Sequence, residues 1–184
     1  MNRKRAYILV AEDFECVETL ATIDVMNRAG VELRRIAVGG SLDVASSHGL
    51  VTLRCDELIE DADLGDGAAL ILPGGYPGYV NLRNSDTVCR WVREYYDDGR
   101  LVAAICGAPT VLAAAGVARG RSITCHSSVV EEMGDYRYVG DDVVEDDNLI
   151  TAAGAGLSIS FALAIASHLV DSATLSRVRR GMEL

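Results

Sequence analysis

Short apolar runs alternate along the chain with longer segments whose apolar residues recur at helical spacing. Tyr7–Ala11, Leu33–Val38, Ala68–Leu72, Leu101–Ile105 and Leu149–Ala152 predict strands. Between the first two, Cys16–Ala29 predicts a helix ended by Gly30, with acidic Glu15 and Glu18 at its start. Val17, Leu20, Ala21 and Val25 give that helix an apolar stripe. Ser85 or Asp86 opens a helix of about twelve residues carrying Val88, Trp91, Val92 and Tyr95. A short helix follows Cys106, and Leu157–Val170 and Ser172–Arg180 predict two more. Gly39-Gly40-Ser41 leads to extended pieces around Val44 and Val51–Leu53, read as a hairpin on the sheet edge. Further strands are expected near Ile123-Thr124 and within Tyr138–Asp147. Leu101–Ile105 carries no polar side chain, as a central parallel strand buried on both faces requires. This alternation predicts an open, mostly parallel α/β sandwich. Sites in such sheets lie beyond the carboxyl ends of the strands. That singles out Glu12–Glu18, Pro73–Gly78, Cys106–Pro109, and the Cys125-His126 or Gly154–Ser158 region.

Composition narrows the chemistry. The 184 residues suggest one domain, and 49% hydrophobic with 24% charged residues is globular composition. There are 17 basic against 27 acidic residues, a formal charge of −10, and Lys4 is the single lysine. Schiff-base chemistry and P-loop phosphate binding both need a lysine in the fold, so neither is expected. The acidic balance argues against nucleic-acid binding. Five cysteines without a C-x-x-C pair signal neither a zinc cluster nor a disulfide framework, which suits a reducing, cytoplasmic setting. Arg3-Lys4-Arg5 imitates the start of a signal peptide, but the apolar run after it stops at Glu12-Asp13. The uncharged stretches Leu101–Ala118 and Asn148–Val170 are broken by Gly, Pro or Ser, so no membrane span is expected.

Four elements could carry chemistry. Cys106 ends an apolar strand, and Gly107-Ala108-Pro109 opens a helix after it, the layout of a nucleophile elbow. A helix N-terminus would lower the thiol pKa. The alternative is a small core hydrophobe. Pro73-Gly74-Gly75 either exits a strand or turns backbone N–H groups toward an oxyanion, joined by the Gly107 N–H. Glu15 and Glu18 either complement a helix dipole or place a buried, partly protonated carboxyl at the site. His126 follows a short strand and serves either structure or proton transfer, whereas His48 and His168 read as structural or surface residues. Gly154-x-Gly156-x-x-Ile159 half-matches a dinucleotide fingerprint but leaves no room for a following half-domain. The acidic run Gly140–Asp147 lacks calcium-loop spacing and reads as a solvated face.

Ala11–Thr19 with both glutamates, Leu72–Gly75, Ala103–Pro109 and Thr124-Cys125-His126 together resemble the ThiJ/PfpI family. The match is to its branch around the Parkinson-disease-associated deglycase, within the class I glutamine-amidotransferase-like superfamily. Thr22–Gly30 and Phe161–Ile165 strengthen the match, which runs from about Arg5 to Val170. The resemblance implies a flavodoxin-like three-layer sandwich, assembled as a homodimer. It implies Cys106 hydrogen-bonded to a Glu18 carboxyl, oxyanion donors at Gly75 and Gly107, and His126 nearby, with Glu15, Gly74 and His48 in supporting positions. The implied activity is a glyoxalase or deglycase, free of cofactor and metal, acting on small 2-oxoaldehydes such as methylglyoxal or on glycated substrates. Oxidative-stress sensing or chaperone action through oxidation of Cys106 is the alternative.

Relatives with a His directly after the nucleophile are peptidases; Gly107 stands there, so peptidase activity is not expected. His168-Leu169-Val170-Asp171 supplies no His-x-Glu for an amidotransferase triad. Two family arginines correspond to Ala153 and, on the loop a partner subunit contributes, to His48. A pocket without them should favour small neutral carbonyl compounds over anions. An end at Leu184, ahead of the final capping helix of some members, would leave the site more open.

Overall fold

A computed structural model describes residues 4–140 and 142–184. Arg3 of the basic triplet and Asp141 of the acidic run lie outside the described residues. Eleven strands and six helices follow one another among the described residues. They are β1 Arg5–Ala11, α1 Cys16–Ala29, β2 Glu32–Val38, β3 Asp43–Ala45, β4 Thr52–Arg54, β5 Glu57–Leu58 and β6 Ala69–Leu72, then α2 Gly78–Arg83, α3 Asp86–Asp97, β7 Leu101–Ile105 and α4 Pro109–Ala115. The remainder are β8 Ser122–Ile123, β9 Arg137–Tyr138, β10 Val143–Asp146, β11 Leu149–Ala152, α5 Ser158–Leu169 and α6 Ser172–Gly181.

Seven strands form one sheet in the order β10-β11-β7-β6-β1-β2-β5. All neighbours are parallel except β10 with β11. Alternate residues of the central strands feed two cores. Tyr7, Leu9, Leu70, Leu72, Val102 and Ala104 pack against α2, α3 and α4. Ile8, Val10, Ile71, Ala103 and Ile105 pack against α1, α5 and α6. The molecule is thus a three-layer α/β sandwich. From β1 the chain crosses to β2 on one side and later to β6 on the other. That reversal opens a crevice above the carboxyl ends of β1 and β6, where open α/β sheets place their ligands.

The caps follow the sequence signals. Gly30 adopts the left-handed conformation that ends α1, and the Ser85 side chain accepts the Val88 N–H to start α3. The apolar stripe expected on α1 is only partly its buried face, Val25 being the member that is fully buried. Glu18, Thr19, Thr22, Val25, Met26 and Ala29 point inward, while Val17 is 54% and Leu20 37% exposed. The helix is rotated so that Glu18 reaches the crevice.

The hairpin of β3 and β4 forms its own two-stranded sheet; the edge of the main sheet is the unforeseen β5. The strand near Ile123 pairs with β9 in a second small sheet rather than joining the main one. The acidic run is engaged by a cation. Arg121 bonds Asp146 at 3.0 Å and Asp147 at 2.8 Å. No helix among the described residues is long and apolar enough to cross a membrane.

Candidate active site

Cys106 is the first residue past β7 and has φ 64. This left-handed conformation costs a non-glycine residue about 1–3 kcal/mol and persists only where neighbours fix it. Here they do. The Cys106 N–H donates to Ala152 O at 2.9 Å, and its carbonyl accepts the His126 N–H at 2.8 Å. The tight turn lifts the side chain above the sheet, as the Cys-Gly-Ala-Pro sequence predicted. The backbone N–H groups of Gly107 and Gly75 act on its sulfur, favouring the thiolate.

Glu18 reaches the same point from α1. Glu15 caps that helix, its Oε2 accepting the Glu18 N–H at 2.6 Å. The Glu18 side chain is 1% exposed, and its Oε2 accepts the Gly74 N–H at 2.8 Å. Its Oε1 is buried without a conventional donor, and Cys106 is the side chain that bears on the carboxyl. Gly74 is dictated by space. A Cβ there would stand 2.6 Å from Glu18 Oε2 and 2.7 Å from Cys106 Cβ. Gly75, at φ 95, lies against the backbone of Asp13, Phe14 and Glu15.

Burial decides the protonation of both groups. It raises the Glu18 carboxyl to about 7, with Glu15 adding to the rise and the Gly74 N–H opposing it. It also pushes the Cys106 thiol up to about 12, reinforced by the Glu18 charge. The Gly107 and Gly75 N–H groups lower the thiol but do not win. The sequence expectation was a thiol acidified by a helix N-terminus, and burial beside a carboxyl acts in the opposite direction. α4 begins only at Pro109 and is short, and desolvation beside a carboxyl outweighs its dipole. The first proton to leave therefore belongs to the Glu18–Cys106 pair rather than to either residue alone.

A cavity of about 640 Å³ opens over the sulfur. Glu15, Gly75, Cys106, Gly107, His48 and His126 line it, so most of the anticipated residues converge. His126 starts a 3-10 turn, with its Nδ1 accepting the Ser128 N–H at 3.2 Å and lying 2.8 Å from Ser128 Oγ. His48, read as a surface loop residue, lies on the rim of the cavity of its own chain. Ser47, Leu50, Tyr76, Tyr79 and Ser128 complete the lining and were not anticipated. Two tyrosines following a glycine turn were the available signal for the aromatic part. Ala153 holds the Asp142 carbonyl through its N–H at 3.1 Å and brings no charge. None of the described lining residues is Arg or Lys. His168 belongs elsewhere, its Nε2 2.9 Å from Glu145 Oε2. Among the described residues no group of three His, Cys, Asp or Glu side chains could hold a metal ion.

Comparison with known proteins agrees with this geometry. The profile of the DJ-1/PfpI family matches residues 4–168. The chain is 36% identical to Parkinson disease protein 7 homolog of Danio rerio, covering 97% of this chain and 96% of that protein. It is 34% identical to glutathione-independent glyoxalase DJR-1.2 of Caenorhabditis elegans, over 91% of this chain and 89% of that one. The crystal structure of Drosophila melanogaster DJ-1beta superposes with a TM-score of 0.95 at 34% identity, covering 99% of this chain and 98% of the other. An elbow cysteine against a buried glutamate, three neighbouring glycines and a match along nearly the whole chain lead to one assignment: the chain belongs to the DJ-1/PfpI family.

Proposed function

We propose that the protein is a glyoxalase-type enzyme that uses Cys106 and water to convert 2-oxoaldehydes into 2-hydroxy acids. The observation that carries this reading is the Glu18 carboxyl, poised at about 7 against the Cys106 thiol. A general base works best with a pKa near the operating pH. The Glu18 carboxylate takes the thiol proton as sulfur adds to the aldehyde carbon. The resulting oxyanion rests on the Gly75 and Gly107 N–H groups, which already favour negative charge at the sulfur. Glu18 hands the thiol proton to that oxyanion, completing the hemithioacetal, and the freed carboxylate, with His126 at the cavity wall, then carries the C1 proton to C2 through an enediol. Water cleaves the thioester and restores the thiol. The name of the Caenorhabditis elegans relative, a glutathione-independent glyoxalase, supports the same chemistry.

Cys106→Ser tests it. Production of lactate from methylglyoxal should fall below detection, and retained activity would overturn the mechanism. Oxidation sensing at Cys106 is the competing reading, and the half-buried sulfur is its support. Mild peroxide followed by mass spectrometry separates the two. Selective addition of two oxygens at Cys106 favours sensing, although a thiol held protonated by burial and Glu18 should resist that oxidation. We further propose a homodimer. Val17 and Leu20 of α1 and Ile159 of α5 are exposed on two helices that pack together, leaving apolar surface for a second copy.

A further inference from the structure

The cavity is far larger than a three-carbon aldehyde needs; about 640 Å³ falls in the range of ~300–1,000 Å³ that holds drug-sized ligands. Its outer wall is aromatic. The Tyr79 ring lies directly against the α-carbon of Gly107, next to the reactive sulfur. The Arg83 guanidinium sits 5.9 Å from the ring centroid and is itself held by an ion pair of 2.5 Å to Glu132. Tyr79 is therefore a fixed wall. Tyr76 stands 6.0 Å from it, centroid to centroid, at 53°. The two rings thus pack on each other as a tilted aromatic pair and present a shared aromatic surface to the cavity. Tyr76 is 75% and Leu50 69% exposed, so both offer apolar surface that a bound group would cover. The acidic side chain on the described lining is Glu15, with no Arg or Lys there to balance an anionic substituent.

We propose that the preferred substrates are neutral 2-oxoaldehydes bearing a bulky aryl or branched alkyl group, with Tyr76, Tyr79 and Leu50 as the residues that select it. This rests on the glyoxalase reading and replaces the small substrate expected from the sequence with a larger one. With the aldehyde carbon on the Cys106 sulfur between Gly75 and Gly107, the ketone substituent extends along Tyr79 toward Tyr76. The overall reaction balances internally. The arylglyoxal takes up one water, its aldehyde carbon is oxidised to a carboxylate, and its ketone carbon is reduced to a secondary alcohol. No external oxidant or reductant enters.

The experiment compares kcat and KM for phenylglyoxal and methylglyoxal in the wild-type chain, Tyr76→Ala, Tyr76→Phe and Leu50→Ala. Wild type should favour phenylglyoxal at least about 10-fold in kcat/KM, chiefly through KM, since filling an apolar pocket discriminates on that scale. Tyr76→Ala should cut the phenylglyoxal-to-methylglyoxal ratio about 10-fold, Leu50→Ala should cut it less, and Tyr76→Phe should keep it. Turnover of methylglyoxal with no preference for phenylglyoxal, or a preference untouched by Tyr76→Ala, overturns this inference alone. Turnover of neither aldehyde overturns the glyoxalase reading and this inference with it.

Discussion

The two ends of the sheet each carry a depression, and they differ in how their polar groups are satisfied. At the amino end, Lys4, Arg100, Asp147, Asn148 and His168 line a space of about 400 Å³. Its charged and polar groups are mostly engaged by neighbours, with the buried Arg100 Nε the exception. Lys4 Nζ donates to His168 O at 2.9 Å, Arg100 Nη2 bonds Asp98 at 2.9 Å, and Asn148 Nδ2 donates to Tyr96 O and Arg100 O. At the carboxyl end, Glu18 and Cys106 are buried together with a single carboxyl oxygen satisfied by Gly74. One end uses charge to hold chain segments in place. The other keeps an unpaired acid and a protonated thiol where burial sets both pKa values.

The largest test of that difference is Glu18→Gln. The amide preserves shape but cannot accept the thiol proton, so kcat/KM for a 2-oxoaldehyde should fall about 10³-fold, within the range for loss of a general base. Wild-type kcat/KM should rise as pH increases through about 7, because deprotonated Glu18 is the active form. The variant should lack that rise. A stopped-flow or steady-state pH profile checks both, and an unchanged profile would remove Glu18 from the chemistry.

The same substitution should act in the opposite direction on stability. Glu18 titrates near 4.5 when exposed and at about 7 when folded, so the folded state holds its proton more tightly. Its contribution is fully present below pH 4.5 and is lost as pH rises through about 7. At 1.36 kcal/mol per pKa unit, the loss is about 3 kcal/mol. Urea unfolding at pH 4.5 and at pH 8 should show Glu18→Gln gaining on wild type across the interval. Parallel curves for the two proteins would mean that the carboxyl is not held protonated by the fold.

Much of this contrast was legible in the sequence. The apolar run ending at Cys106 and the paired glycines at 74 and 75 announced an elbow facing a backbone donor turn. Leu101–Ile105 matched its strand because burial on both faces leaves an unbroken apolar signature. α1 was harder. Its Val17 and Leu20 mimic a core stripe, but the helix turns Thr19 and Thr22 inward to carry Glu18 to the site. The short β5 and β9, of two residues each, carry too little pattern to be read, whereas β8 was expected near Ile123 but not its pairing outside the main sheet. The burial of the thiol beside a facing carboxyl was not legible, because it arises only when α1, β6 and β7 are brought together. The aromatic wall was missed for the same reason. Tyr79 gains meaning only from the closeness of its ring to Gly107.

The amino end supplies the smallest effect and the control for the others. Arg100 lies over the Tyr95 ring at 3.8 Å from its centroid. Its Nη1 donates to the carbonyls of Gly65 at 3.1 Å and Gly67 at 3.4 Å. Those bonds tie the segment before β6 to the end of α3, and the Tyr95 hydroxyl reinforces the tie by donating to Leu64 O at 2.6 Å. Arg100→Ala should cost about 2 kcal/mol, the range for charge-assisted bonds together with a cation–π contact. Thermal denaturation reads that loss. The kcat/KM for 2-oxoaldehydes should stay within a factor of about 2, because Arg100 lies at the opposite end of the strands from Cys106 and its bonds fix a segment that contributes nothing to the cavity wall. If Arg100→Ala instead lowered kcat as Glu18→Gln does, the two ends could not be separate devices. Strand β6, which runs from beside the Arg100 cluster toward Gly74, would then have to transmit the change.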